Sequence, residues 1–256
     1  MNFFLPSYTL WKREQTRFYR QKSRIAGVLG SPLLFWFLIG SGFGNSLRLP
    51  GMDGEGYLEF FFHGTVLLIV LFSEIFSSIS TIEDRREGFL QSVLVSPASR
   101  ASIVFGKIFG ITTLAVLQGT LFLLLAGFVG IEFSVLSFLS AVITITFIGF
   151  SLASLGFFFA WKLDSSQGFH AIMNLVLVPL WLLSGAIFPM NSSSQWLSLI
   201  MHLNPLSYGL DWLRYVLYWN NDARTVDLLN CNLSIAVTLL FGSVMFYLSV
   251  RAVKKK

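Results

Sequence analysis

Six apolar stretches separated by short polar connections run through this 256-residue chain. A bilayer span needs roughly 20 apolar residues at a rise of about 1.5 Å each. On that measure the runs predict spans at Ile25 to Gly44, Tyr57 to Ile82, Ile103 to Phe128, Val135 to Trp161, Ala171 to Phe188 and Cys231 to Val250. The runs are too long and too evenly apolar for barrel strands, and only helices satisfy every backbone polar group within one segment in hydrocarbon. The first run follows a long charged segment and lacks a small-residue cleavage site, so it reads as a retained span and not a signal peptide. The expected fold is an all-α polytopic membrane protein with one transmembrane domain over residues 1–256.

Three segments outside the spans carry their own pattern. Residues 1–24 mix Phe3, Phe4, Leu5, Tyr8, Trp11 and Phe18 with six basic residues. Tyr8, Trp11, Gln15 and Phe18 share one helical face, which predicts an amphipathic helix lying in the membrane interface. The connection 83–100 is the most polar internal stretch. There Phe89, Leu90, Val93 and Leu94 repeat at helical spacing behind Glu83, Asp84, Arg85, Arg86, Glu87 and Gly88, and the pattern stops before Ser96 and Pro97. A helix over Glu83 to Leu94 with one charged flank and one apolar face is a docking element in outline. The segment 189–230 is rich in Leu, Trp and Tyr, yet each piece is too short to span. Two helices dipping into the outer leaflet, entered at Pro189, broken at Asn204-Pro205 and anchored by aromatics such as Tyr208, would bury those side chains.

Composition changes the picture only by exclusion. Charged residues make up 12% of the chain and mean hydropathy is +0.70, where a soluble domain has roughly a quarter of its residues charged. The net charge of +5 is not a nucleic-acid patch, because 15 of the 18 Lys and Arg fall before the first span, around Arg85 to Lys107, at Lys162 and at the C-terminus. Arg48, Arg214 and Arg224 lie on the other side. By the positive-inside rule both termini are cytoplasmic, which requires an even number of spans. The single cysteine, Cys231, excludes an internal disulfide and a cysteine-rich metal site.

Candidate chemistry is sparse. Gly106-Lys107-Ile108 lacks the glycine and hydroxyl residue of a phosphate loop, and no metalloprotease or hydrolase motif occurs. His63, His170 and His202 fall in separate segments. Ionisable residues inside a span are functional suspects by default. Glu59 and His63 stand one turn apart near one end of the second span. Glu74 and Lys107 lie at similar depth in the second and third spans, which predicts an interhelical ion pair. Gly149, Ala153, Gly156 and Ala160, and the pairs Gly40 with Gly44 and Gly106 with Gly110, mark close-packing faces.

The run Glu87-Gly88-Phe89-Leu90-Gln91-Ser92-Val93-Leu94-Val95-Ser96-Pro97-Ala98-Ser99-Arg100, followed by Gly106-Lys107, resembles the first cytoplasmic connection of type-2 ABC exporter permeases. That family includes exporters of O-antigen, teichoic acid, nodulation factor and anthracycline drugs. Leu183-Ser184-Gly185-Ala186-Ile187-Phe188-Pro189 and Asn204-Pro205-Leu206-Ser207-Tyr208 extend the likeness over nearly the whole chain. Phe89 departs from it, standing where the family usually has a small polar residue.

The resemblance implies a transport subunit, not an enzyme, in a plasma membrane of the bacterial inner-membrane type. It would pair with a second permease subunit, identical or not, above a dimer of separate ABC ATPases that hold ATP and magnesium, with no cofactor on this chain. The helix Glu83 to Leu94, with Ser96, Pro97 and Arg100 behind it, would be the coupling helix in an ATPase cleft. The cargo would be a glycan, lipid, drug or other amphipathic molecule moving out of the cytoplasm. The rival from another class is a proton-coupled secondary transporter using Glu59, His63 and Glu74, which inverted repeats would support. The halves of this chain look unlike each other.

Overall fold

A computed structural model describes residues 3–43, 57–131, 134–187, 189–190, 194–218 and 229–254. Asn2, Gly44, Arg48, Phe188, Trp219, Arg224, Lys255 and Lys256 lie outside the described residues. Within them the chain is helical and no strand occurs. The order is α1 (Phe4–Arg20), α2 (Lys22–Phe43), α3 (Tyr57–Arg86), α4 (Phe89–Val95), α5 (Arg100–Leu123), α6 (Val135–Lys162), α7 (Ser166–Trp181), α8 (Gln195–Leu203), α9 (Pro205–Leu217) and α10 (Cys231–Lys254). A 3₁₀ turn (Ala126–Val129) follows α5, and a π-turn (Leu182–Ala186) continues α7.

Among the described residues five helices are long and apolar enough to cross a membrane: α3, α5, α6, α7 with its π-turn, and α10. In α2 the apolar part that qualifies is shorter, Gly30–Gly40. Starts and stops follow local chemistry. The Ser99 hydroxyl accepts from the Ser102 amide at 3.0 Å and opens α5 two residues after Pro97. Ser134 and Ser165 do the same for α6 and α7.

α3 is the axis of the molecule. From Tyr57 to Asp84 every side chain is buried except those of Leu58, Phe72, Phe76 and Glu83. Four helices, α2, α5, α6 and α7, surround it. Helices in lipid gain no hydrophobic drive from associating, so van der Waals contact and small residues hold them together. The small-residue faces identified in the sequence serve this purpose within the subunit. A Cβ on Gly156 would meet the Ser78 hydroxyl of α3 at 2.5 Å, and one on Gly40 would strike Leu58. α10 packs on the far side of α6, where a Cβ on Gly242 would meet the Ser151 hydroxyl at 2.5 Å, and it leaves Leu233, Leu240 and Tyr247 exposed.

α1 lies against α5, and Gly106 and Gly110 are the reason. A Cβ at Gly106 would approach the Ser7 carbonyl oxygen to 2.6 Å, and one at Gly110 would approach Glu14 Cβ to 2.9 Å. The Ser7 hydroxyl donates to the Ser102 carbonyl at 3.0 Å, Trp11 Nε1 to Thr113 Oγ1 at 3.0 Å and Gln15 Nε2 to the Gly110 carbonyl at 2.8 Å. The buried stripe of α1 is Ser7, Leu10, Glu14 and Phe18, with a carboxylate at its centre. The expected face of Tyr8, Trp11, Gln15 and Phe18 is therefore rotated: Tyr8 is exposed, and only Phe18 of the four is buried.

Candidate functional site

At the α4 end of α3, three carboxylates meet three cations. Asp84, in the last turn of α3, receives Arg13 Nη2 at 2.6 Å and Arg17 Nη1 at 2.9 Å, and its second oxygen pairs with Lys107. Lys107 Nζ also donates to Glu14 Oε1 at 2.5 Å. The Ser80 hydroxyl donates to the other Glu14 oxygen at 2.7 Å, and Arg17 Nη2 lies 2.5 Å from Glu83 Oε2. The side chains of Lys107 and Asp84 are wholly buried and that of Glu14 nearly so. Buried charges are tolerable only when each lone pair and proton finds a partner, and here α1, α3 and α5 each supply some of them. The cluster joins three helices into one block.

The expected Glu74 to Lys107 pair does not form. Lys107 is level with Asp84, because α5 begins at Arg100 and its first two turns extend past the end of α3. Matching depths by counting from predicted span ends missed that offset. Both oxygens of Glu74 are buried with no hydrogen-bond partner among the described residues. Glu14 escaped the sequence reading, since a lone carboxylate among six basic residues looks like part of a solvated face. Its position one helical turn from Leu10 and Phe18 on an apolar stripe was the available signal.

The expected helix over Glu83 to Leu94 is two elements. Glu83, Asp84, Arg85 and Arg86 complete α3, and Gly88 then turns the chain at φ 78°, which favours a residue without Cβ. Only Phe89–Val95 forms the separate helix α4. Leu90 is fully buried, whereas Gln91, Ser92, Val95, Ser96 and Pro97 are exposed. The Arg13 guanidinium lies 3.8 Å from the centroid of the Phe89 ring, and Arg100 Nη1 donates to the Leu94 carbonyl at 2.7 Å. α4 is thus pinned at one end to the ionic block and at the other to the first residue of α5. Glu87, exposed at the elbow, attracts Arg13 from the edge of the cluster.

At the opposite end of α3 the chain meets a different problem. α7 contains Pro179 and breaks in the π-turn, where Leu183 leaves helical geometry and Gly185 has φ 86°. Carbonyls freed by such a break must be satisfied inside a membrane. The helix α9 and its capping residue do this. Asn204 Nδ2 donates to the Leu180 carbonyl at 2.6 Å, Ser207 Oγ to Leu183 at 3.3 Å and Arg214 Nη2 to Gly185 at 2.8 Å. Asn204 Oδ1 accepts from the Leu206 amide at 3.0 Å, capping α9 with Pro205 in its first turn. The Tyr208 hydroxyl donates to the His202 carbonyl at 2.8 Å, and Pro189 is buried. The sequence placed the break between α8 and α9 at Asn204-Pro205, and that is where it falls.

Residues 7–218 match the ABC-2 type transporter family. The chain belongs to that family. It is 28% identical over 242 residues to the transport permease ycf38 of Cyanophora paradoxa, covering 90% of this chain and 82% of that one. It is 27% identical over 252 residues to nodulation protein J of Sinorhizobium fredii, covering 96% and 92% of the two chains. The ycf38 permease of Porphyra purpurea is 29% identical over 218 residues, with coverages of 83% and 71%. The family match runs from the buried stripe of α1 to the end of α9, so it includes both the ionic block and the repaired break.

The remaining membrane carboxylate and histidine of α3, Glu59 and His63, lie near the broken end. Glu59 is buried and the His63 ring sits 4.9 Å from that of Tyr218. His63 and Glu74 are eleven residues apart on one helix, about 16 Å at 1.5 Å per residue. That is too far for a direct hydrogen bond between the two.

Proposed function

We propose that this ABC-2 family member is the six-span transmembrane half of an ATP-driven exporter, with a separate ABC ATPase docking at α4. The observation that carries the reading is α4 itself. It is a seven-residue helix whose one face is buried and clamped to α1 while the other, Gln91, Ser92 and Val95, is left open, with Val95 87% exposed. A notch of about 310 Å³ beside it, lined by Ile82, Leu90, Leu94 and Trp161 among others, gives a partner side chain somewhere to enter. Force applied to α4 passes through Phe89, Arg13 and the ionic block to α1, α3 and α5 together.

In this reading the α4 end and both termini face the cytoplasm, as the distribution of basic residues suggests. α2 supplies the sixth span, two permease subunits act side by side, and ATP and magnesium belong to the partner. The relatives named as transport permeases support a transport subunit, and the cargo is a glycan, lipid, drug or other amphipathic molecule.

The test is Val95→Asp combined with Gln91→Asp, co-expressed with an ABC ATPase that co-purifies with the unsubstituted chain. Both side chains are exposed, so insertion and stability stay unchanged while ATPase co-purification falls at least tenfold. Leu90 does not serve, because its burial would confound docking with folding. Normal co-purification of the double variant would falsify the docking role.

A further inference from the structure

Outside one stretch of α3, the hydroxyl of every buried serine and threonine among the described residues has a partner, and many bond back to the carbonyl one turn earlier. Thr65, Thr112, Thr144, Ser151 and Ser154 do so at 2.7 to 3.0 Å. That stretch of α3 breaks the habit. The hydroxyls of Ser73, Ser77, Ser78 and Thr81 and both oxygens of Glu74 are buried with no hydrogen-bond partner among the described residues. Six such atoms within nine residues is a concentration that buried polar groups do not normally show, since each one left unpaired bears its full desolvation penalty.

Glu74, Ser77, Ser78 and Thr81 are spaced at i, i+3, i+4 and i+7, so they form one face of α3. That face meets the small-residue face of α6. A Cβ on Gly149 would lie 3.6 Å from Glu74 Oε1, and one on Gly156 would lie 2.5 Å from Ser78 Oγ. α6 offers this stripe no side-chain donor at those two positions, because both are glycine.

Arg85 continues the stripe one turn beyond Thr81. Its Nη1 donates to the carbonyls of Ala160, Trp161 and Leu163 at 3.2, 2.5 and 3.2 Å, and its Nη2 lies 2.9 Å from Asp164. One guanidinium therefore closes the end of the seam by holding the terminus of α6. It sits three residues before Gly88, the hinge into α4.

We propose that the α3–α6 seam from Ser73 to Thr81 is a binding site for water, opened and closed by Arg85 as a latch. The stripe lacks protein partners among the described residues, and releasing Arg85 opens it to water from the end of the seam. Movement of α4 about Gly88 then sets the state of the latch. This last link rests on α4 being the docking element, whereas the site and its latch do not.

The experiment uses full-length chains in which Cys231→Ser removes the native thiol and one new cysteine is placed by Ser78→Cys or Thr81→Cys. Membrane fragments open on both faces are treated with a charged methanethiosulfonate without nucleotide or ATPase, so the result is independent of the exporter reading. With Arg85 intact, modification is slow; with Arg85→Gln it is at least tenfold faster at both positions. Asp164→Ala, which removes one exposed partner of Arg85, accelerates it less. Ile69→Cys, buried on the same helix among apolar neighbours, stays unmodified in every background, and Ser92→Cys reacts in all of them. Absence of modification at 78 and 81 in every background overturns the water site. Equal rates with and without Arg85 overturn the latch. Modification at position 69 alongside 78 and 81 overturns both, since it reports general loosening.

Discussion

The two ends of α3 solve the same difficulty by opposite means. At the α4 end the chain buries three ionisable groups and neutralises them in one network, so that Lys107 is held by Glu14 and Asp84, and Asp84 also by the half-buried Arg13 and Arg17. At the other end the exposed need is backbone: the broken turn of α7 presents the carbonyls of Leu180, Leu183 and Gly185, and α9 covers them with an amide, a hydroxyl and a guanidinium. Charge pairs deep in a protein are costly to break but hold their register over several helices. Carbonyl repairs are individually weaker, and each depends on one side chain. The first arrangement suits a block that must move as a unit; the second suits a local irregularity built into a packed wall.

The comparison breaks most visibly if the ionic block is opened. Lys107→Met leaves Glu14 and Asp84 buried without their shared cation, and should cost about 3–5 kcal/mol, read as a fall in the thermal unfolding midpoint of the detergent-purified protein. Adding Glu14→Gln to it should recover part of the loss. Two losses that simply sum would show that the contact contributes little.

Asn204→Ala comes next, at about 1–3 kcal/mol, because it removes the cap of α9 and leaves the Leu180 carbonyl unpaired. Asn204→Asp keeps the acceptor for the Leu206 amide but loses the donor, so it should fall between wild type and Ala. An aspartate variant as damaged as alanine would mean that the donor to Leu180, and not the cap, holds this end.

A smaller effect is expected where a charge pair is open to solvent. Asp164 is 86% exposed in its pair with Arg85, so Asp164→Asn should change stability by less than about 1 kcal/mol. A loss approaching that of Lys107→Met would erase the distinction between buried and exposed pairs. The smallest quantity is the coupling between Glu74 and Lys107. These groups do not pair, and a double-mutant cycle on Glu74→Gln and Lys107→Met should be additive within about 0.5 kcal/mol. Coupling beyond 1 kcal/mol would indicate that the two residues share a partner network after all.

Much of this was legible from sequence because its signals are local. Apolar run length marks where helices lie, Asn204-Pro205 marks a break through capping and ring geometry, and Gly106 with Gly110 marks a face that admits another backbone. The same reading made α4 too long, since the apolar repeat of Phe89 to Leu94 says nothing about Gly88 turning the chain at positive φ. It turned α1 by part of a turn, because which of two adjacent faces is buried depends on what α1 meets.

Pairing was beyond any local signal. Glu74 and Asp84 are both carboxylates on α3, and nothing in their neighbours along the chain distinguishes the one that meets Lys107. The choice is made by the axial offset between α3 and α5 and by the arrival of α1 with Glu14, and both are properties of packing. Residue type and spacing by themselves determined that the chain is helical and membrane-embedded, because hydrocarbon imposes one rule on every backbone group it surrounds. Tertiary structure alone decided which buried charges meet and which polar stripe is left without partners, because contacts a few ångströms long depend on helix offsets that no repeat in the sequence encodes.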